Sequence, residues 1–107
     1  MTKAKFLFCE DVIVSFELSG HSGAGEEGTD IVCSAVSSAV YMAANTILEI
    51  MKIEAEAEVT EGYFEFTMNL EDARKSKVIT DGLYLHLSEL EGQYPNNLKL
   101  ERGVFDA

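Results

Sequence analysis

The sequence has 107 residues, 47% of them apolar and one of them proline, which predicts a single folded domain over residues 1–107. Nineteen acidic and eight basic side chains give a net charge of −11. This charge repels phosphate backbones, so we expect a basic partner and no nucleic acid. The N-terminus does not look like a signal peptide, and we find no apolar run of the roughly 20 residues that span a bilayer. We therefore expect a cytoplasmic protein with no membrane contact.

The first quarter of the chain predicts a hairpin followed by a loop. Residues 4–9 read as one strand, and residues 12–18 alternate apolar residues with others, which is typical of a second strand. Residues 10–11 make a tight connection between the two. Residues 20–28 include four glycines and no large apolar residue, which indicates a loop.

From residue 30 the apolar spacing becomes helical and continues to about residue 51. Asp30, or Thr29 beside it, suits the N-cap position, because its side-chain oxygen can accept an N–H from the first turn. With Asp30 as the N-cap, Cys33 is the third helical residue and shares a stripe with Ser37. The many small residues of this helix would allow a close approach to a sheet or to another helix.

The rest of the chain predicts two more strands, a second helix and a final strand. Residues 53–59 alternate apolar residues with glutamates, which predicts a half-buried strand, and residues 64–68 predict the next one. The second helix is predicted over residues 72–93, and the last strand begins at residue 98. The order ββαββαβ predicts a two-layer α+β domain, in which a mainly antiparallel sheet carries two helices on one face.

Cys33 and His21 are the residues that point to chemistry. A thiol in the first helical turn meets unpaired N–H groups and the positive end of the helix dipole, and both favour the thiolate. A nearby imidazole can accept the thiol proton, which gives an activated nucleophile of the Cys–His kind. The alternatives are a buried core position for Cys33 and a surface-loop position for His21. His86, in the middle of a predicted helix, is expected to be structural.

Several neighbours could support this pair. Gly20 gives the backbone before His21 freedom to face the helix start. Asp30 could orient His21 as a third catalytic member, although capping is the simpler role. Ser37 could hydrogen-bond near the thiolate or back to its own helix. The loop glycines predict a flexible or substrate-facing segment. The loop residues in question are Ser22, Gly23, Gly25 and Gly28.

Two other kinds of site fit the sequence poorly. Residues 23–28 match G-x-G-x-x-G, but the strand ends well before the first glycine and the predicted helix starts only after the last one. Two glutamates inside the motif would also place negative charge beside a pyrophosphate. Cys9, Cys33 and His21 form no close ligand pair of the kind that zinc sites use. We therefore expect no metal and no cofactor.

Two motifs resemble those of the bacterial ribosomal-processing cysteine protease (Prp) family. They are Gly20-His21-Ser22 and Gly28-Thr29-Asp30-Ile31-Val32-Cys33-Ser34-Ala35-Val36-Ser37. The length and the order of predicted elements also agree with that family, so the resemblance covers the whole chain. Ser22 and Ser34 stand where a small alanine is common, but neither difference removes a reacting atom.

The resemblance implies a cysteine endopeptidase in which His21 and Cys33 form the catalytic dyad. It also implies a homodimer and a substrate, the N-terminal extension of a large-subunit ribosomal protein, and an acidic enzyme suits such a basic partner. Two rival functions remain. A non-catalytic ribosome-associated protein-binding domain would use Cys33 only for packing, and an amidase or acyl transferase would keep the dyad and change the reaction.

Overall fold

A computed structural model describes residues 1–20 and 27–105, with the backbone alone described for residues 27–30. Within these ranges it contains five strands and three α-helices, the first of which runs into a π-helical segment. In chain order they are β1 (Thr2–Cys9), β2 (Val12–Ser19), α1 (Glu27–Asn45), the π-helical segment (Thr46–Ile50), β3 (Glu56–Thr60), β4 (Tyr63–Thr67), α2 (Leu70–Lys75), α3 (Lys77–Gln93) and β5 (Leu98–Val104).

The five strands form one sheet in the order β3-β4-β2-β1-β5. The pairs β1–β2, β2–β4 and β3–β4 are antiparallel, and β1–β5 is parallel. The predicted α+β class with a mainly antiparallel sheet is therefore confirmed. The β1–β2 hairpin closes through Glu10 and Asp11, whose φ angles of 49° and 70° are both positive, as two-residue hairpin turns require.

The helices cover the aromatic face of the sheet. Phe6 pairs directly with Phe16, and the ring of Phe16 stacks on Phe64 at a centroid distance of 6.3 Å. Tyr84 of α3 contacts Phe6 edge-on at 5.0 Å, and Tyr41 of α1 contacts Phe64 at 5.3 Å. Since directly paired residues point to the same face of a sheet, α1 and α3 lie on one side, as the sequence predicts.

One stripe of α1 and of the π-helical segment is buried against this face. Its members are Val32, Val36, Val40, Ala43, Ala44 and Ile47. The helical stretch Ile31–Ile50 has a mean hydropathy of 1.6 and is long and apolar enough to span a membrane by length and composition alone. The statement that the sequence holds no such run is therefore wrong. A helix that packs on a sheet can have the same apolar composition, and the buried stripe shows that this helix packs on the sheet.

The predicted starts of both helices and the predicted burial of one strand are wrong. Helix α1 begins at Glu27, three residues before the expected cap. The second predicted helix begins earlier, at Leu70, because the Asn69 side chain accepts the N–H of Asp72 (2.8 Å), and it is broken at Ser76 into α2 and α3. Strand β3 is exposed throughout, although a half-buried strand was predicted, because the helices pack mainly on β1, β2 and β5.

The π-helical segment offers a matched test of the packing. Ile47 is fully buried in the core and Ile50 is 76% exposed. We expect Ile47→Ala to lower the free energy of unfolding by about 2–5 kcal/mol, because it removes buried methylene groups and leaves a cavity. Ile50→Ala should change it by less than about 0.5 kcal/mol. Urea unfolding measures both, and equal losses would contradict the packing described for this segment.

Gly20 offers a second test, at the end of β2. Its φ is +72°, and a Cβ atom there would lie 2.8 Å from the carbonyl oxygen of Met1. We expect Gly20→Ala to lower the free energy of unfolding by at least about 1–2 kcal/mol, because the left-handed conformation is costly for an L-residue and the clash adds to it. Gly92→Ala is the control, since a Cβ at this helical position meets nothing within 4 Å. A Gly20→Ala variant as stable as the parent would contradict this geometry.

Candidate active site

Cys33 lines a cavity of about 150 Å³ between α1 and the end of the sheet. Cys33, Ser37 and Tyr41 follow one another at intervals of four residues, so they lie on the same side of α1. The thiol and the Ser37 side chain are half-buried at the edge of the buried stripe. Cys33 makes no disulfide, and neither does Cys9. The helix therefore presents a free thiol to this cavity.

The sheet supplies the other walls of the cavity. Leu18 and Ser19 come from the end of β2, Thr2 begins β1, and the remaining residues come from the β3–β4 hairpin. Among the residues that the structure describes, the lining consists of Thr2, Leu18, Ser19, Cys33, Ser37, Tyr41, Thr60, Gly62, Tyr63 and Phe64. Gly62 has φ +76°, which a tight hairpin turn requires and glycine accepts without strain. The hairpin tip and the helix that carries Cys33 therefore line the same cavity.

The structure places some of the predicted site residues and not others. It brings Cys33 and Ser37 to one cavity, and Gly20 directly follows Ser19 of the cavity wall. The backbones of Gly28 and Asp30 lie at the start of α1. His21 and three residues of the predicted substrate loop lie outside the described residues. These three are Ser22, Gly23 and Gly25.

The earlier start of α1 corrects two expectations. Asp30 lies inside the helix, so its prediction as the N-cap is wrong. Cys33 lies in the second turn and not in the first. Because the dipole effect falls off within the first turn, the helix terminus contributes less to activation of the thiol than the sequence suggested.

Among the described residues that line the cavity, Tyr63 has a strongly raised side-chain pKa. Its hydroxyl donates a hydrogen bond to Oε2 of Glu65 (3.0 Å). Desolvation raises the pKa of Tyr63 to about 12, and the hydrogen bond to Glu65 and the charge of Glu17 add to this. Partial burial likewise raises the pKa of Glu17, helped by the Glu65 carboxylate directly opposite on β4. Tyr63 is therefore a neutral phenol near pH 7 and does not act as a base.

His86, the second histidine of the chain, is exposed on α3. It lines a groove between α1 and α3 together with residues such as Met42 and Gly82. It does not line the cavity of Cys33. The expectation that His86 is structural stays a prediction, since this exposed position does not test it.

One reason given against a dinucleotide-binding site is wrong, and the sheet topology supplies a different one. Helix α1 begins at Glu27, inside the G-x-G-x-x-G match, so the argument that it starts only after the last glycine is wrong. A dinucleotide site, however, belongs to a unit of parallel strands joined by a helix. Here β2, which precedes α1, and β3, which follows it, run in the same direction but are not neighbours, because β4 lies between them and is antiparallel to both. The topology therefore does not support that site.

Comparison with known proteins connects this geometry to a family. The family described as Cysteine protease Prp matches residues 1–99. The Ribosomal processing cysteine protease Prp of Bacillus subtilis is 31% identical over 98 residues, which cover 86% of this chain and 88% of that protein.

Solved structures agree in fold. The essential ribosomal processing protease Prp from S. aureus, in complex with a substrate peptide, superposes with a TM-score of 0.86 at 19% identity, covering 95% of this chain and 99% of the other. The same protease with a covalently linked product peptide gives a TM-score of 0.82 at 21% identity, with the same coverage. With a family match over most of its length and a free thiol at the wall of a cavity, the chain belongs to the cysteine protease Prp family and is a cysteine protease.

Proposed function

We propose that the protein is an endopeptidase that removes the N-terminal extension of a large-subunit ribosomal protein through a Cys33–His21 dyad. The observation that carries the proposal is the position of Cys33, a half-buried free thiol at the wall of a cavity. Family membership supports the reaction class, and the name of the Bacillus subtilis relative supports ribosomal processing. Such an enzyme would act where ribosomal proteins are made, in the cytoplasm.

The chemistry proceeds by two acyl transfers. His21 accepts the thiol proton, and the Cys33 sulfur attacks the peptide carbonyl carbon to form a tetrahedral intermediate. The C–N bond then breaks, the leaving amine takes the proton from His21, and a thioester to Cys33 remains. Water, deprotonated by His21, attacks the thioester and releases the carboxylic acid and the thiol. The covalently linked product peptide in the S. aureus protease supports a covalent route.

Residues beside the dyad have positioning roles in this proposal. Gly20, with its left-handed φ, turns the chain out of β2 immediately before His21. Ser37 lies one helical turn after Cys33 at the same cavity. Asp30 does not cap α1, and we assign to its carboxylate the orientation of the His21 ring, as in a catalytic triad. Ser22, Gly23 and Gly25 of the predicted loop, together with Gly28, which the structure places in the first turn of α1 and not in the loop, are proposed to face the peptide.

Charge supports the proposed substrate. With 19 acidic and 8 basic side chains, the protein attracts a basic ribosomal protein and repels RNA. The attraction acts over about one Debye length, roughly 8 Å at physiological salt. Cleavage at low substrate concentration is therefore expected to slow as salt is added.

Cleavage of a peptide that spans the junction of the N-terminal extension tests the dyad. Cys33→Ala and Cys33→Ser should each lower turnover by about 10⁴-fold or more, because the nucleophile is lost or far less acidic. His21→Ala should lower it by about 10²- to 10⁴-fold. His86→Ala is the matched control and should leave it unchanged. Mass spectrometry of the digest measures all four.

The digest also separates the rival functions. Two peptide fragments identify a protease, whereas an amidase or acyl transferase changes the mass of an intact peptide. Binding without any change in mass identifies a non-catalytic domain. Retained cleavage by Cys33→Ala, or equal losses in His21→Ala and His86→Ala, would contradict the dyad.

We further propose a homodimer formed through the outer face of α1 and α3. Residues 31–46 carry no charged side chain, yet Ile31 is 65% exposed and Met42 is 54% exposed. The groove between the helices is lined by small or apolar residues and His86. They are Ala35, Ser38, Ala39, Met42, Ile79, Gly82, Leu83 and His86. Since two copies with a charge of −11 repel each other, an uncharged face is where a second copy can approach.

Sedimentation analysis of charged variants tests this interface. We expect the parent protein to sediment as a dimer and Met42→Glu to sediment as a monomer, because burial of an unpaired carboxylate is costly. Ile50→Glu is the control, since Ile50 is 76% exposed and does not line the groove. It should remain a dimer. A monomeric parent, or loss of the dimer in both variants, would contradict the proposed face.

A further inference from the structure

The sheet has a second face, which is rich in glutamate. One row of residues pairs in register across all five strands, in the order Glu58, Glu65, Glu17, Lys5 and Glu101, so these side chains point to the same side of the sheet. They alternate along the strands with the aromatic residues that α1 and α3 cover, so they lie on the opposite side. We call this side the open face. Glu58 is exposed there, and Glu17 and Glu65 are half-buried.

Strands β2, β3 and β4 form the acidic half of the open face. Every open-face position in these three strands is a glutamate or a residue with a hydroxyl group. The glutamates are Glu17, Glu56, Glu58 and Glu65. The lysines of the open face lie on β1 and β5 and not on these strands. This half of the sheet therefore presents carboxylates and hydroxyls without a basic side chain of its own.

The carboxylates of this half lack counter-ions within the part of the chain that the structure describes. The ion pairs found there use other acids, namely Glu10, Glu71 and Asp81. Glu17 faces Glu65 directly, and like charges in that position repel each other. Desolvation raises the pKa of Glu17, and its hydrogen bond and charge interaction with Glu65 raise it further. A cation that binds over these strands would relieve the repulsion.

A recess of about 590 Å³ continues the acidic half at the end of the sheet away from the Cys33 cavity. Its described lining includes two glutamates, Thr67 and Phe105, and no basic residue. Thr67 ends β4, whereas Tyr63 begins it and lines the Cys33 cavity. At about 3.4 Å per residue, the two ends of β4 are about 14 Å apart. The recess is therefore separate from the catalytic cavity, and its aromatic ring and carboxylates both attract a cationic side chain.

We propose that the acidic half of the open face docks a segment of the ribosomal protein that is rich in lysine and arginine and lies outside the Cys33 cavity. This inference rests on the protease function proposed above. Removal of an N-terminal extension leaves the body of the substrate on the C-terminal side of the cleaved bond, so the docked segment lies on that side. Lysine and arginine side chains carry donors and no acceptors, which complements a surface of carboxylates and hydroxyls. A second copy of this chain, with a charge of −11, is repelled from the same surface.

Two matched double variants test the docking surface. Glu56→Gln with Glu58→Gln removes two exposed carboxylates from the acidic half. Glu49→Gln with Glu89→Gln is the control, since it removes two exposed carboxylates from helical segments. The substrates are peptides that span the cleaved junction and continue, after a Gly/Ser linker of about four residues that covers the length of β4, into a run of lysines or a run of glutamines.

We expect the open-face variant to raise KM for the lysine peptide by about 3- to 10-fold, because two charge pairs are lost. The kcat value should stay unchanged, since the catalytic residues are untouched, and KM for the glutamine peptide should also stay unchanged. The control variant should change either KM by less than about twofold. Thermal unfolding should be the same for both variants, because the replaced side chains are exposed.

The outcomes separate this inference from the protease proposal. Equal rises in KM in the two variants would show that only the overall charge acts, and would overturn the docking surface while cleavage stands. A rise for the glutamine peptide as large as that for the lysine peptide would overturn it as well. If the parent protein cleaves neither peptide, the protease proposal fails and the docking surface fails with it.

Discussion

The packing of α1 against the aromatic face of the sheet is the interaction on which the site depends. Val32, Val36 and Val40 are at most 3% exposed, and this apolar stripe fixes the rotation of the helix about its axis. Because each residue is turned by about 100° from the last, Cys33 and Ser37 must then lie at the edge of the stripe. A small rotation would bury the thiol or expose it to solvent. The core therefore determines which space the thiol faces.

The second constraint is where the chain enters and leaves this region. Strand β2 ends at Ser19 in the cavity wall, and Gly20 turns the backbone with a positive φ. The chain returns as α1 at Glu27, so Cys33 sits in the second helical turn. The helix terminus then contributes less to thiol activation than a first-turn position would give. We propose that His21, which lies between Gly20 and Glu27 in the sequence, supplies most of the activation of the Cys33 thiol.

Local periodicity explains what the sequence predicts correctly, and long-range pairing explains what it misses. The β1–β2 hairpin and the helical stripe of Cys33 follow from the spacing of apolar residues. Tyr41 could also have been found, since it continues that stripe. Thr60 and Tyr63 could not, because they reach the cavity through the pairing of β4 with β2, residues distant in sequence. The start of α1 was missed because its first residues include glycine and no periodic apolar residue.

The most direct test of the account is the rate at which iodoacetamide alkylates the two cysteines at pH 7. Cys9 and Cys33 are both free and both half-buried, so burial alone gives them similar rates. If His21 activates Cys33, this thiol should react at least about tenfold faster than Cys9, and His21→Ala should remove the difference while His86→Ala preserves it. Equal rates in the parent protein, or a Cys33 rate that His21→Ala does not change, would contradict the activated-thiol account.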